Sequence, residues 1–375
     1  MKQVFFFLAI TLISFCSCAQ QKPSEIEAKT PAKIKYTTEV VVPELNIPWG
    51  MEFFPNGSIL VTEKDGRLIH FKEGKKSEIS GFPDIYVRGQ GGLLDVKLHP
   101  NYETNGWIYF TYGSSEGEGD GGHTALIRGK LNDNTLTEIQ HLYKGEGNTK
   151  KGQHWGSRIE FNNEGYLYFS IGDRGNRDVN PQDITRDGGK IYRLHDDGSI
   201  PKDNPFINEN GAKTAIYSYG HRNPQGMIKH PKTGDIWTHE HGPRGGDEIN
   251  IIKKGKNYGW PVISYGINYS GTTFTEISEK EGMEQPLFYW VPSIAPCGMA
   301  FVDSERYPDW NGSLLVGSLK FEYLERLVIK NAKVVNREKL FEGLGRFRNI
   351  KLAPDGYLYA GVENVGIVRI IPDSF

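Results

Sequence analysis

Four glycine-rich, polar segments hold the residues of this chain that could do chemistry. They read Gly89-Gln90-Gly91-Gly92-Leu93-Leu94-Asp95, Gly152-Gln153-His154-Trp155-Gly156-Ser157-Arg158, His221-Arg222-Asn223-Pro224-Gln225-Gly226 and His239-Glu240-His241-Gly242-Pro243-Arg244-Gly245-Gly246-Asp247-Glu248. The last runs on to Asn257-Tyr258-Gly259-Trp260-Pro261. Loops this dense in donors, acceptors and backbone-bending glycines suit a ligand site. His154 is a candidate general base, because an imidazole titrates near neutral pH; the alternative is a histidine bonded to a neighbouring loop. Asp95 is the next carboxylate to consider for that role. Asp247 and Glu248 are hard oxygen donors, which suit Ca²⁺ better than Zn²⁺. Residue type alone leaves open that they are solvated surface carboxylates. His239 and His241 would share one face of a strand, but no third His or Cys stands at a familiar metal spacing. Arg346 and Arg348 also lie two apart, and with Lys320 they could bind a multiply anionic ligand or form a solvated basic edge. The Gly117 to Gly122 stretch lacks the Lys-Ser/Thr and following helix of a phosphate loop.

The elements that must position these residues repeat. Six x-Gly pairs each lead into a short run of aromatic and β-branched residues. Asn56-Gly57 precedes Ser58–Thr62, Asn105-Gly106 precedes Trp107–Tyr112, and Glu164-Gly165 precedes Tyr166–Ile171. Thr233-Gly234 precedes Asp235–His239, Asn311-Gly312 precedes Ser313–Gly317, and Asp355-Gly356 precedes Tyr357–Gly361. The pairs are 49, 59, 69, 78 and 44 residues apart. Units of about 40–50 residues holding several strands mark propeller blades, the longer ones carrying loop insertions. The pattern predicts an all-β chain folded as a six-bladed β-propeller; a pair of β-sandwiches is the alternative. Residues Tyr36 to Val42 form an extra strand, expected to complete the last blade and hide its edge.

The chain has 375 residues with Lys+Arg 44 against Asp+Glu 46, a net charge of −2. That balance argues against a nucleic-acid partner, which needs a basic excess. At the N-terminus the apolar run Val4 to Phe15 is too short to span a bilayer but suits a secretory signal. Residues 1–17 therefore read as a lipoprotein-type signal, 18–35 as a flexible tether, and 36–375 as the propeller. Ser17 is the small residue that cleavage before a lipidated Cys18 requires. Export to the periplasm with a lipid anchor at Cys18 is expected. Cys297 is the only other cysteine besides Cys16 and Cys18, so it is expected to be a small buried side chain.

Together these segments resemble the soluble quinoprotein sugar dehydrogenases, especially the aldose sugar dehydrogenase branch, which use pyrroloquinoline quinone (PQQ). The resemblance covers the chain from about Pro48 onward. Its motifs, in the family's order, are Gly89–Asp95, Ile171-Gly-Asp-Arg-Gly, Gly189-Lys-Ile-Tyr-Arg-Leu, Asp197-Gly-Ser-Ile-Pro, Gly220-His-Arg-Asn-Pro-Gln-Gly, Glu240-His-Gly-Pro and Asn257-Tyr-Gly-Trp-Pro. The family fold is a six-bladed propeller, and the resemblance implies oxidation of aldose sugars at C1 to lactones. It implies that His154 is the base, and that Gln90, Arg222 and Asn223 contact the quinone. Lys320, Arg346 and Arg348 match the cations that pair with its carboxylates, and Tyr269 an aromatic at the cofactor mouth. Gly242 and Pro243 match carbonyls that hold a catalytic Ca²⁺; Glu248 and Tyr258 match ligands of a structural Ca²⁺. The implied partners are an aldose and an external electron acceptor. Gln153 stands where the glucose-specific branch has Asp, and His241 where it has Gln. The chain departs there from that branch and its dimeric state, and a monomer is expected. Two other readings compete: a calcium-dependent propeller lactonase, and a non-catalytic propeller that binds sugar or protein.

Overall fold

Each of the six x-Gly turns joins the first strand of a sheet to its second. The computed structural model describes residues 26–32 and 35–373, and within them there are six sheets, five of four strands and one of five. The glycines of these turns have φ between 70° and 83°, a left-handed backbone that costs glycine nothing. Blade one holds Pro48–Phe53, Ile59–Glu63, Leu68–Lys72 and Lys75–Glu78; blade two holds Leu93–Leu98, Ile108–Ser114, His123–Asn132 and Thr135–Lys144. Blade three holds Ile159–Phe161, Leu167–Ile171, Lys190–Leu194 and Ile216–Tyr219; blade four holds Pro224–Lys229, Ile236–Glu240, Asp247–Ile251 and Phe288–Trp290. Blade five holds Pro296–Phe301, Leu314–Ser318, Leu324–Lys330 and Lys333–Leu340. Blade six holds Phe347–Leu352, Leu358–Val362 and Gly366–Pro372, and its fourth strand is Tyr36–Pro43, paired antiparallel to Gly366–Pro372. The early strand thus closes the ring as expected, covering the edge of Gly366–Pro372 and becoming the outermost strand of blade six itself. One short helix, Tyr102–Asn105, is the only helix among the described residues, and no helix there is long and apolar enough to cross a membrane.

The period-2 alternation of the strands builds the core. In Ile108–Ser114 the side chains of Ile108, Phe110 and Tyr112 pack toward blade one, while Tyr109 packs toward blade three. The same division gives one buried apolar cluster between every pair of neighbouring blades. With both sheet faces covered, the first strands are left to line a central channel.

One expectation changes. Part of the segment expected as tether is held: Ala28–Lys29 adds a parallel strand to Lys333–Leu340 of blade five. The Ile26 carbonyl accepts from Arg337 Nη1 at 2.9 Å, and the Ile26 side chain packs on the cluster between blades four and five. A polar composition cannot reveal this docking, because backbone pairing and a single apolar side chain carry it. Cys16, Cys18 and the signal reading lie outside the described residues.

Candidate active site

In an up-and-down sheet, connections alternate between the two ends. With the x-Gly turns at one end, the blade-to-blade loops and the second-to-third-strand connections fall at the other. The polar segments singled out above lie at or lead into that second end, and Asn257–Pro261, in the long 252–287 link between the third and fourth strands of blade four, contributes Trp260 to the cleft there. Gln90, His154, Arg222, Pro243 and Tyr269 line one cleft there, of about 570 Å³, with Asp173 and Trp260.

His154 sits in a left-handed backbone conformation, φ 56°, which costs a β-carbon residue energy and needs support. Its amide donates to Gln90 Oε1 at 2.9 Å, and its carbonyl accepts from the Arg174 amide. Gly172 lies beneath it, where a β-carbon would come within 2.5 Å of the His154 carbonyl. Its Nδ1 lies 2.6 Å from Asp173 Oδ1. Asp173 also accepts from the Gly175 amide (2.7 Å) and, through Oδ2, from Trp260 Nε1 (2.9 Å). Burial pushes Asp173 up, but these hydrogen bonds and Arg222 hold it net below the usual carboxylate range. Burial, with Arg222 assisting, outweighs Asp173 and lowers His154 below its ordinary value. The imidazole is therefore neutral at pH 7. Facing an ionised carboxylate, Nδ1 carries the proton and Nε2 keeps a lone pair able to accept another. Sequence reasoning missed Asp173, although the motif Ile171–Gly175 contains it. Asp95 is corrected as a fallback base: it pairs with Arg158 (3.0 Å) and accepts the Ile159 amide (2.9 Å) within the channel, and does not line the cleft.

The polar atoms left over suit a bound polyanion. Arg222 Nε and Asn223 Nδ2 are buried without a hydrogen-bond partner, a costly condition that a ligand would relieve. Arg346 and Arg348 both direct Nε onto the carboxylate of Glu363, and Arg346 Nη1 donates to the Leu319 carbonyl beside Lys320. The pair is thereby oriented as one cationic face. Glu363 was not singled out from sequence, because nothing in its local pattern distinguishes it from a loop carboxylate. Lys320, Arg346 and Arg348 do not line the cleft that His154 lines. Lys64 reaches from blade one to the Gly89 carbonyl, and its ammonium is lowered by burial and then by the nearby Arg348.

Two places suit a hard cation. At the cleft, the Gly242 carbonyl accepts from Arg222 Nη1 (2.7 Å) and the Pro243 carbonyl from Ser293 Oγ (3.3 Å), each keeping a second lone pair. Asp247 differs from its reading as a cation donor: its oxygens accept the Gly242 and Ala295 amides at 2.7 and 2.8 Å, so it shapes the loop. Deeper, Glu240 and Glu248 share the amide of Asn250, and burial followed by the Glu240 charge pushes Glu248 well above the usual range. Asn250 Oδ1 is buried without a partner. A buried carboxylate, Glu240, and a half-buried one, Glu248, beside an orphaned amide oxygen and a cavity of about 10 Å³ are the chemistry of a small divalent ion. The Tyr258 hydroxyl is engaged with the Ile251 carbonyl (2.6 Å), so only its backbone could serve that ion. His239 is buried and His241 half-buried, with Nε2 of each on a carbonyl of blade five, Gly298 and Pro296 respectively. They tie blades four and five together. Cys297 is buried and free, as expected.

The open end of the propeller thus combines a proton-accepting His–Asp pair, a cationic face and buried carboxylates, the equipment of a cofactor-dependent enzyme. Residues 45–369 match the family model Glucose / Sorbosone dehydrogenase, and the chain belongs to this family. It is similar to the aldose sugar dehydrogenase YliI of Escherichia coli (strain K12), 40% identical over 361 residues that span 94% of each chain. Among solved structures, it resembles the apo-form of the soluble aldose sugar dehydrogenase of Escherichia coli (39% identity, TM-score 0.85, 90% of this chain and 99% of that one). It also resembles the PQQ-bound form of an aldose sugar dehydrogenase from Streptomyces coelicolor (28% identity, TM-score 0.72, 91% and 99%).

Proposed function

We propose that this protein oxidises the C1 hydroxyl of aldose sugars to the lactone with PQQ and Ca²⁺, passing the electrons to an external acceptor. The observation that carries the reading is the neutral His154 held by Asp173 on the wall of a cleft that also includes Gln90 and Arg222. When bound, PQQ supplies the two-electron acceptor and Ca²⁺ the Lewis acidity. His154 Nε2 takes the proton of the anomeric hydroxyl, and Asp173 stabilises the imidazolium so formed. Lys320, Arg346 and Arg348 would hold the cofactor's carboxylates, with Gln90, Arg222, Asn223 and Tyr269 around its ring system. Gly242 and Pro243 carbonyls would hold the catalytic Ca²⁺, and Glu248 with the Tyr258 carbonyl the structural one. A monomer, exported to the periplasm and lipid-anchored at Cys18, completes the proposal. Dye reduction by the purified protein with an aldose, with and without added PQQ and Ca²⁺, tests it; no PQQ-dependent reduction would refute it.

The lactonase reading needs Asp, Asn and Glu side chains free to converge on the channel. The channel carboxylates Glu52, Asp95 and Glu160 are instead ion-paired with Lys351, Arg158 and Lys97. The non-catalytic reading leaves the strained His154 and its carboxylate without a role.

Two outcomes follow from the cradle and the buried acids. Arg348→Ala removes a charged donor from the cationic face and should weaken PQQ binding by about 1.5–3 kcal/mol, roughly 10- to 150-fold in Kd. Fluorescence titration of the apo-protein with PQQ reads this directly, and an unchanged Kd would show a solvated edge. Ca²⁺ should raise the melting temperature by a few °C, since a ligand at about 100 Kd adds about 2.7 kcal/mol. Glu248→Gln should remove most of that increment. Equal Ca²⁺ stabilisation of both proteins would place the ion elsewhere.

A further inference from the structure

Arg174 follows Asp173 in the chain, yet its side chain neither lines the cleft nor joins the cationic face. It is buried, and its guanidinium lies on backbone carbonyls and one indole; among the described residues it forms no ion pair with a carboxylate. A buried cation without a counterion is costly, so what it holds is informative.

It holds the segment that carries His154. Nη1 donates to the Gln153 carbonyl, and Nη2 to the Lys151 and Gly122 carbonyls at 3.0 and 3.3 Å. The Arg174 amide donates to the His154 carbonyl at 3.3 Å. Gly152 has other donors, the Gln90 amide (2.7 Å) and Trp155 Nε1 (3.0 Å). Arg174 thus serves three of the four carbonyls from Lys151 to His154. Its Cζ also lies 3.5 Å from the centroid of the Trp155 ring, a cation–π contact. The Gln90 segment packs on that same indole, where a β-carbon on Gly91 would lie 2.3 Å from it. His154 and Arg174 both have left-handed backbones, φ 56° and 54°, which persist only where the surroundings over-determine them. A planar fork that reaches several carbonyls at once is something lysine cannot reproduce.

We propose that Arg174 is a positioning residue for the base: its guanidinium fixes the 151–154 backbone and so keeps the His154 ring on the cleft wall with Nδ1 against Asp173. The inference rests on His154 being the base of the aldose-oxidation reading. The same cation acts on the ring through space. Around His154 stand Asp173, Arg222, Arg174 and His241, and Lys151, Arg177 and Asp178 lie further along the cleft wall. Burial and Arg222 lower His154, Asp173 raises it, and Arg174 lowers it further. His241 is held neutral by desolvation. Burial pushes Arg174 down to about 9, so it is still charged at pH 7. Removing that charge stabilises imidazolium and moves the His154 titration to higher pH. A ring freed from the wall also gains water, which acts in the same direction.

Two variants separate fork from charge. Arg174→Lys keeps the charge and should lower kcat by about 10- to 100-fold with PQQ and Ca²⁺ saturating, the cost of a misplaced base. Arg174→Met removes both; kcat should fall at least as far, and the acid limb should move upward by more than in Arg174→Lys. The Kd for PQQ, read by fluorescence titration, should stay unchanged in each. Long-range ¹H–¹⁵N spectra of the apo-protein need no turnover. With the His154 signals identified by their loss in His154→Ala, they report its tautomer and its titration. The wild type should show Nδ1–H, and Arg174→Met a mixture of tautomers with a raised titration. Wild-type kcat in Arg174→Lys, or an unaltered His154 tautomer and titration in Arg174→Met, would overturn the proposal; a merely structural residue would lower only the melting temperature. Should Arg174→Met fail to fold, kcat of Arg174→Lys decides. If the wild type oxidises no aldose, the aldose reading falls, and the spectra still decide whether Arg174 sets His154.

Discussion

Replacing His154 with alanine is expected to lower aldose turnover by about 10²–10⁴-fold, the usual worth of a positioned general base. The fold should survive, because the side chain forms part of a cleft wall and belongs to none of the apolar clusters between blades. Asp173 would keep the Gly175 amide and Trp260 Nε1 as donors, so its charge would not be left unpartnered. PQQ affinity should change little, since Arg346 and Arg348 are held by Glu363 and not by His154. Stopped-flow turnover with saturating PQQ and Ca²⁺, alongside a melting curve, separates these effects. Near-normal turnover would remove His154 from the mechanism. The wild-type pH profile carries the same assignment. Burial and Arg222 lower His154 below 6.5, so the neutral, proton-accepting form persists into mildly acidic solution. Activity should fall only as pH drops through that lowered value, as imidazolium replaces imidazole. An acid limb centred above 6.5 would contradict the burial seen here.

The two ends of the propeller were unequally legible. At one end the first-to-second-strand turn is short and needs a left-handed residue in every blade, so glycine recurs and six blades can be counted from sequence. Gly57, Gly165 and Gly312 have no neighbouring atom within 4 Å of the β-carbon position, which shows that backbone conformation, not crowding, selects them. At the other end the connections vary from the 319–323 link of blade five to the 172–189 excursion of blade three, and the chemistry lies there. Residue type could nominate His154, Gln90 and Arg222, because imidazole, amide and guanidinium declare what they can do. It could not nominate their supports. Asp173 stands 19 residues from His154 and meets it only because blade three folds back. Glu363 joins Arg346 and Arg348 across a strand pair, and Glu240 meets Glu248 in the same way. Asp247 shows the converse: a carboxylate in a glycine-rich loop looks like a cation ligand until two backbone amides are found on it. Burial, which decides between these roles, depends on contacts that only the closed ring creates.

Asp173→Asn tests the support rather than the base. Asp173 receives only donors: His154 Nδ1 and the Gly175 amide at Oδ1, Trp260 Nε1 at Oδ2. An asparagine must turn its NH₂ toward one side. Facing Trp260 it clashes with one donor; facing the other side it clashes with two. The amide oxygen should therefore stay on His154, preserving the tautomer that leaves Nε2 free to accept. What is lost is charge. Without the carboxylate, nothing offsets burial and Arg222 at His154, and the imidazolium formed in the reaction goes unstabilised. Turnover should fall by about 10²-fold, at the low end of general-base effects because the base itself remains. The acid limb should also move to lower pH than in the wild type, since the group that raised His154 has gone. A purely structural role for Asp173 would lower the melting temperature and leave that limb in place. A limb moved upward would mean that the amide had flipped toward His154 and that this account of the pair is wrong.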